Sequence, residues 1–307
     1  MSGFAGRILV IGEALIDIVD RGGEPVRHVG GSPLNVAFGL ARLGIATTFA
    51  SEFGEDSDGA AIAAHLAAAG VTIARTADAI RPTSTALARI GEDGSATYDF
   101  DLQWTFSTPP AVAGISAVHI GSIGALRAPG SGGVLALVES LPEDVLVTFD
   151  PNVRPALMPP PAETRALVER YAARAAVVKL SDEDAAWLYP GAADSAAERL
   201  LMAGATLVAV THGATGSVLH TASARLDVPA RPTIAVDTIG AGDAYMSGLI
   251  AAIVQRVGVV DALAGRFTEE QLAAIGRIAA VSSGLTVARA GAMPPTAAEL
   301  EAEHARA

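Results

Sequence analysis

Cysteine is absent from the 307 residues, which excludes disulfides, thiolate metal sites and cysteine nucleophiles. Lysine is almost absent: Lys179 is the only one, and arginine carries nearly all the positive charge. A Walker-type phosphate loop needs Gly-Lys-Ser/Thr, whereas Lys179 stands between Val178 and Leu180. Any nucleotide phosphates would therefore be held mainly by backbone amides and arginine. Excess positive charge is missing too. A net charge of −12 leaves no phosphate-neutralising surface, so no nucleic-acid partner is expected. No apolar run reaches membrane-spanning length, and the first residues lack a charged-then-apolar leader pattern. The expectation is a cytoplasmic protein with no membrane partner. The six histidines are scattered without zinc-ligand spacing, and no Gly-x-Ser-x-Gly elbow of a hydrolase occurs.

What is present suits a large core. Half the residues are hydrophobic and 18% are charged, so disorder is not expected. The length fits one α/β domain with an appendage, and neither a linker nor a solenoid repeat divides it, so residues 1–307 are read as a single domain. Residues 7–12 read as a buried first strand. A hairpin follows, with a turn at 21–25 and a second extended run to Val29. An amphipathic helix spans Val36–Leu43, stopped by Gly44. A strand at 47–52, a helix at 59–69 and a strand from Gly70 come next. Thr83–Ile90, a turn at Gly91–Gly94 and 95–102 form a second hairpin. The two hairpins are expected to make one small four-stranded sheet. From Val112 strands and helices alternate: strands near 119, 145–149, 176–180 and 206–211, helices at 131–140, 162–173, 183–189 and 195–203, then a hairpin at 217–228. Alternation of this kind implies a parallel sheet with helices on both faces, binding ligands beyond the carboxyl ends of its strands.

The most informative stretch is Asp237-Thr-Ile-Gly-Ala-Gly-Asp243, which runs into an apolar helix with Met246, Leu249, Ile250 and Ile253 at helical spacing. Glycines at 240 and 242 permit a tight turn and close backbone approach. A helix opening there offers unpaired N–H groups to an anion. A dinucleotide fingerprint would want a third glycine at position 245, which is Tyr245. A carboxylate beside an anion site makes sense where it takes a proton from the anion's attacker.

This stretch resembles the C-terminal signature of the ribokinase-like (PfkB-type) carbohydrate kinases, and a fructokinase-like member in particular. Gly30-Gly31-Ser-Pro-Leu-Asn35 resembles the N-terminal signature of the same family. The resemblance covers nearly the whole chain. It implies an α/β fold, with a doubly wound, mainly parallel sheet flanked by helices and a small β-sheet lid from about 13–32 and 83–104. It also implies transfer of the γ-phosphoryl of ATP to a sugar hydroxymethyl group, with fructose leading because Gly12-Glu-Ala-Leu-Ile-Asp17 looks fructokinase-like. Asp243 would be the base, and the amides of Gly240, Ala241 and Gly242 the anion hole. Arg154, in Asp-Pro-Asn152-Val-Arg, would touch phosphoryl or sugar. Asp17, Gly30, Gly31, Asn35, Arg89, Phe100 and Asn152 would form the sugar side. Lys179, Ser181, Thr211, Gly213, Gly216, Ala280 and Ser283 would line the nucleotide side, with Arg289–Ala292 flanking the adenine. Mg²⁺ would ride on the ATP phosphates, ordered through Asp184. The family's Asn-x-x-Glu pattern departs here to Ser181 and Asp184, and the same letters also read as a Ser-capped helix with an acidic first turn. Asp237 would belong to a monovalent-cation site, making K⁺ a candidate activator. In some members the lid is also a dimer interface, so a homodimer through it is a candidate assembly. Rival readings are a 2-keto-3-deoxygluconate kinase, with Arg89 or Arg154 gripping the carboxylate, another PfkB-type sugar or nucleoside kinase, a phosphofructokinase-like enzyme, and a non-catalytic sugar or nucleotide sensor.

Overall fold

The computed structural model describes residues 4–20, 22–77, 81–90 and 96–304. The turn expected at Gly91–Gly94 lies outside the described residues, as does Arg21.

Nine strands form the main sheet: β1 (Arg7–Ile11), β4 (Ala46–Ser51), β5 (Thr72–Arg75), β8 (Ile115–Gly121), β9 (Leu146–Asp150), β10 (Val177–Ser181), β11 (Leu207–Thr211), β12 (Ser217–His220) and β13 (Arg225–Val228). Their spatial order is β13-β12-β11-β10-β9-β8-β1-β4-β5. All pairs are parallel except β11–β12 and β12–β13, so only the expected hairpin at 217–228 runs antiparallel. The reason lies in the sequence. Strands such as Ile8-Leu-Val-Ile11 are apolar on both sides, because helices cover both faces. Alternation along β1 shows it: Ile8 and Val10 enter one core with Phe49, Leu40, Met246 and Ile275. Leu9 and Ile11 enter the other with Phe149, Tyr171 and Leu200. Each fully buried residue of this size stabilises the fold by roughly 1.5–3 kcal/mol.

The first core lies under α1 (Ser32–Arg42), α2 (Ser57–Ala68), α8 (Ala241–Ala252) and α10 (Glu269–Val287). The second lies under α3 (Ser122–Leu126), α4 (Gly130–Ser140), α5 (Pro161–Ala172), α6 (Asp182–Leu188) and α7 (Ala196–Ala203). α9 (Val259–Leu263) and α11 (Ala297–His304) complete the set. α1 begins at Ser32, earlier than the apolar pattern suggests, because Pro33 suits a helix's first turn. α3, α9, α10 and α11 fall outside the expected elements. Of these α10 is the longest, opened by a Thr268–Gln271 capping box. Among the described residues no helix is long and apolar enough to cross a membrane.

The second sheet is four-stranded, as expected, and is made of β2 (Leu15–Asp20), β3 (Val26–Gly30), β6 (Ser84–Ile90) and β7 (Ala96–Asp101) in the order β3-β2-β6-β7. Register settles which side chains share a face. Asp17 lies across from His28 and Ala86, and Ala86 from Phe100. These therefore project to one side, while Ile16, Ile18 and Arg89 project to the other. Ile16 is buried in the first core with Ile18 packed against it, and Arg27 pairs with Asp58 of α2. The Asp17 face is left facing the crevice.

Candidate active site

The carboxyl ends of β1, β9, β10 and β11, the start of α1 and the start of α8 meet at one crevice. Gly240 caps α8 with φ 74, a left-handed conformation that suits glycine, and an added Cβ there would lie 2.5 Å from Ala292. The Ala241 amide donates to the Thr238 carbonyl at 3.2 Å and the Ala244 amide to Gly240 at 2.8 Å. The amides of Gly242 and Asp243, in the first turn, have no partner inside the helix. Of the Gly240–Gly242 amides named on the sequence, Ala241 is thus already engaged, while the Gly240 and Gly242 amides have no intramolecular acceptor among the described residues. Ala241 points back into its own loop.

Asp243 is 7% exposed. Its Oδ1 accepts a hydrogen bond from the Ser32 hydroxyl at 2.7 Å, and its Oδ2 one from Asn35 Nδ2 at 2.8 Å. Residues 208 and 211 positions apart in the chain therefore fix the orientation of this carboxylate. Asn35, expected on the sugar side, holds the acid. Ser32 was not singled out from the sequence; a hydroxyl at the first position of a helix is an ordinary capping letter, and its partner is distant.

Asp17 stands on the lid, exposed to the crevice yet surrounded by enough protein that desolvation raises its pKa, with Asp243 adding to the rise and Arg154 and His28 opposing it. Gly30 and Gly31 are needed by close approach. A Cβ on Gly30 would sit 2.1 Å from Asp17 Oδ2, and one on Gly31, at φ 112, 2.5 Å from the Glu13 carbonyl. Phe100 shares the Asp17 face and stacks with Tyr98 at 6.1 Å. Arg89 does not join them: it projects from the opposite face and pairs with Asp99 at 3.9 Å. Asn152, at φ 37, follows β9, and Arg154 donates to its side-chain oxygen at 2.6 Å. Arg154 is exposed, and its charge acts on both Asp17 and Glu13.

Beneath the start of α8 lies a buried ion pair. Lys179 Nζ is 2.9 Å from Asp150 Oδ2, with side chains 4% and 0% exposed. The ammonium also lies 3.1 Å from where a Cβ on Gly242 would be. Burial pushes Asp150 up to about 6 against the pull of Lys179, and the carboxylates of Asp150, Asp184 and Asp243 keep Lys179 protonated. Asp184 forms a capping box with Ser181, accepting from the Ser181 amide at 3.0 Å, and takes the Val153 amide at 2.8 Å. Both of its oxygens thus serve backbone groups, as in the capped-helix reading of these letters. Among the described residues no group of three or more His, Asp or Glu is placed to hold a metal ion. Asp237 accepts from the amides of Ile239 at 3.0 Å and Gly291 at 2.9 Å, which lower its pKa and join its loop to the one after α10.

Thr211 ends β11, and the following loop is closed by the His212 amide on the Gly216 carbonyl at 2.8 Å. Gly213 is exposed at φ 53, and Gly216, at φ 113, packs so tightly that a Cβ would lie 2.2 Å from the Val228 carbonyl. Ala280 is buried on α10, in the core, with Ser283 half-buried one turn on. A separate concavity lined by Ser51, Arg75, Arg81 and Gln103 shares none of these residues.

The nine-stranded, mostly parallel sheet with its four-stranded lid has the ribokinase-like build. More narrowly, residues 5–299 match the model of the pfkB family carbohydrate kinases, and the chain belongs to that family. It is 32% identical over 298 residues to a fructokinase of Klebsiella pneumoniae, covering 92% of this chain and 96% of that one. A fructokinase of Xylella fastidiosa, solved with bound ATP, superposes with a TM-score of 0.82 at 27% identity, covering 97% of this chain and 99% of that one. A double mutant of the Vibrio cholerae O395 fructokinase, solved with fructose, ADP and potassium ion, gives 0.78 at 25% identity, with 97% of each chain covered.

Proposed function

We propose that this chain is an ATP-dependent fructokinase, passing the γ-phosphoryl of ATP to the hydroxymethyl group of fructose to give fructose 6-phosphate. The observation that carries the reading is the convergence on Asp243. A buried carboxylate, aimed by Ser32 and Asn35, adjoins the unpaired amides that open α8. Phosphoryl transfer asks chiefly for positioning and charge neutralisation, plus a group to receive the acceptor's proton. Asp243 receives that proton, and with two donors on its oxygens its remaining lone pairs have fixed directions. The Gly242 and Asp243 amides meet the charge on the transferring phosphoryl, and the Lys179 ammonium lies behind them.

Asp17 and the Gly30-Gly31 backbone take sugar hydroxyls from the lid side, with Phe100 beside them and Arg154 across the crevice. The nucleotide lies along Thr211–Gly216 and α10 near Ala280 and Ser283. Mg²⁺ on the ATP phosphates would supply further charge neutralisation, its water shell reaching Asp184 through lone pairs the backbone leaves free. The loop joined by Asp237 and Gly291 is the candidate K⁺ site; the Vibrio relative binds potassium ion. A homodimer through the lid fits the exposed Val26 and Tyr98.

Coupled ADP release over a panel of fructose, ribose, 2-keto-3-deoxygluconate and fructose 6-phosphate tests the proposal. Fructose should give the highest kcat/KM. A preference for the acidic sugar overturns fructose in favour of Arg154 gripping a carboxylate, and sugar binding without ADP release overturns catalysis.

A further inference from the structure

Glu13 follows the last residues of β1, where the chain leaves the main sheet for the lid, and it has no place in the chemistry above. Its side chain is 4% exposed. One oxygen accepts the Gly124 amide at 2.7 Å, and Ser122, in the same turn, lies close enough to the carboxylate to favour its ionised form. The β8–α3 turn is bent to make this possible, for Ser122 adopts φ 53, a left-handed conformation costly for a residue with a side chain. The three segments meet without room to spare. A Cβ on Gly124 would lie 2.6 Å from Gly12 Cα, and one on Gly31 would lie 2.5 Å from the Glu13 carbonyl. Both roots of the β2–β3 hairpin and the turn after β8 therefore meet at residue 13, the Gly31 root against its backbone and the β8–α3 turn against its carboxylate.

We propose that Glu13 is a positioning residue of the sugar pocket: its carboxylate locks the roots of the lid to the β8–α3 turn and sets where Asp17 and Gly31 stand. The inference rests on the sugar-kinase reading. A glutamine could accept the same Gly124 hydrogen bond without burying an ionisable group, so retention of the acid needs a reason beyond packing. The charged group facing it is Arg154, from the segment after β9; the β8–α3 turn and the β3–α1 joint contribute none. Ionised Glu13 attracts the Arg154 charge, and protonated Glu13 does not. Burial pushes the Glu13 carboxyl up to about 7, so this change falls near neutrality.

Steady-state kinetics of wild type, Glu13→Gln and Glu13→Ala between about pH 5.5 and 8.5 test this. Wild-type sugar KM should change several-fold across neutrality while ATP KM stays level, and Glu13→Gln should flatten that profile. Glu13→Ala should raise sugar KM about tenfold or more with ATP KM within about twofold, a loss on the order of 1.4 kcal/mol. Unchanged sugar KM in Glu13→Ala, or equal rises in both KM values, overturns the proposal. So does a Glu13→Gln enzyme that keeps the wild-type pH profile, and this arm decides alone if the alanine variant fails to fold. A wild type that releases no ADP with any sugar defeats the kinase reading instead, and calorimetric sugar binding then makes the same comparison.

Discussion

Asp243 shows what a single side chain is asked to do here. It is held by two donors from α1, so replacing it with asparagine keeps the size but removes the charge and the capacity to take a proton. The change also turns one acceptor into a donor that the Ser32 hydroxyl can meet by accepting. Asp243→Asn should lower kcat by about 10²–10⁴-fold with ATP KM nearly unchanged, read by coupled ADP release; near-normal turnover would remove it as base. Asp17→Ala should raise sugar KM by about tenfold or more while ATP KM stays put, since a lost hydrogen bond to a charged partner is worth roughly 1.5–3 kcal/mol. Equal effects on both substrates would remove Asp17 from the sugar side. For Lys179 and Asp150 the concern is stability. Lys179→Met leaves a buried, unpaired Asp150 and should destabilise the fold by about 3–5 kcal/mol in urea titration. The double variant Lys179→Met/Asp150→Leu should recover much of that loss. A single variant as stable as wild type would show that the pair is not buried as described.

At the scale of elements, the start of α8 depends on backbone that no side chain can replace. Gly240→Ala would set a Cβ against Ala292 from a left-handed φ. It should shift the amides that follow and cut kcat about 10²-fold or more, with sugar KM little affected. An unchanged kcat would place the anion elsewhere. The same element explains how much was legible in the sequence. Asp243 and the glycines before it lie within one turn, so their spacing alone suggested an anion site with an acid beside it. The hairpins of the lid were legible from strand alternation. Which face each lid residue takes was not, because Arg89 and Phe100 are separated only by register across β6 and β7. Glu13 and Ser32 were hidden for another reason: their partners lie 111 and 211 positions away. Asp184 could be read either as a capping acid or as a group facing a metal's water shell, because both use the same short carboxylate.

For the molecule as a whole, buried acids set a pH dependence that opposes the usual carboxylate trend. Glu13 is raised from 4.5 to about 7 in the fold. Its proton-linked contribution is fully present below about pH 4.5 and is lost as pH rises through 7. Glu299, lowered to about 2 by the Thr296 amide and by Arg289, works the other way; its contribution is lost as pH falls from about 4.5 toward 2. The buried His119, pushed down from 6.5 to about 3 by burial, opposes Glu13 over much of the same range, so the prediction is comparative: relative to wild type, Glu13→Gln should gain more stability at pH 8 than at pH 5. Calorimetric melting at both values checks this. A gain in Glu13→Gln no larger at pH 8 than at pH 5 would contradict it.

The lone lysine carries one more implication. Its amine is enclosed beneath α8, and no other ε-amine exists in the chain. Acylating or carbamylating reagents therefore have one such target, reachable only while the helix and sheet part. The rate at which that amine becomes modified would count opening events of the catalytic interior directly, with no engineered probe.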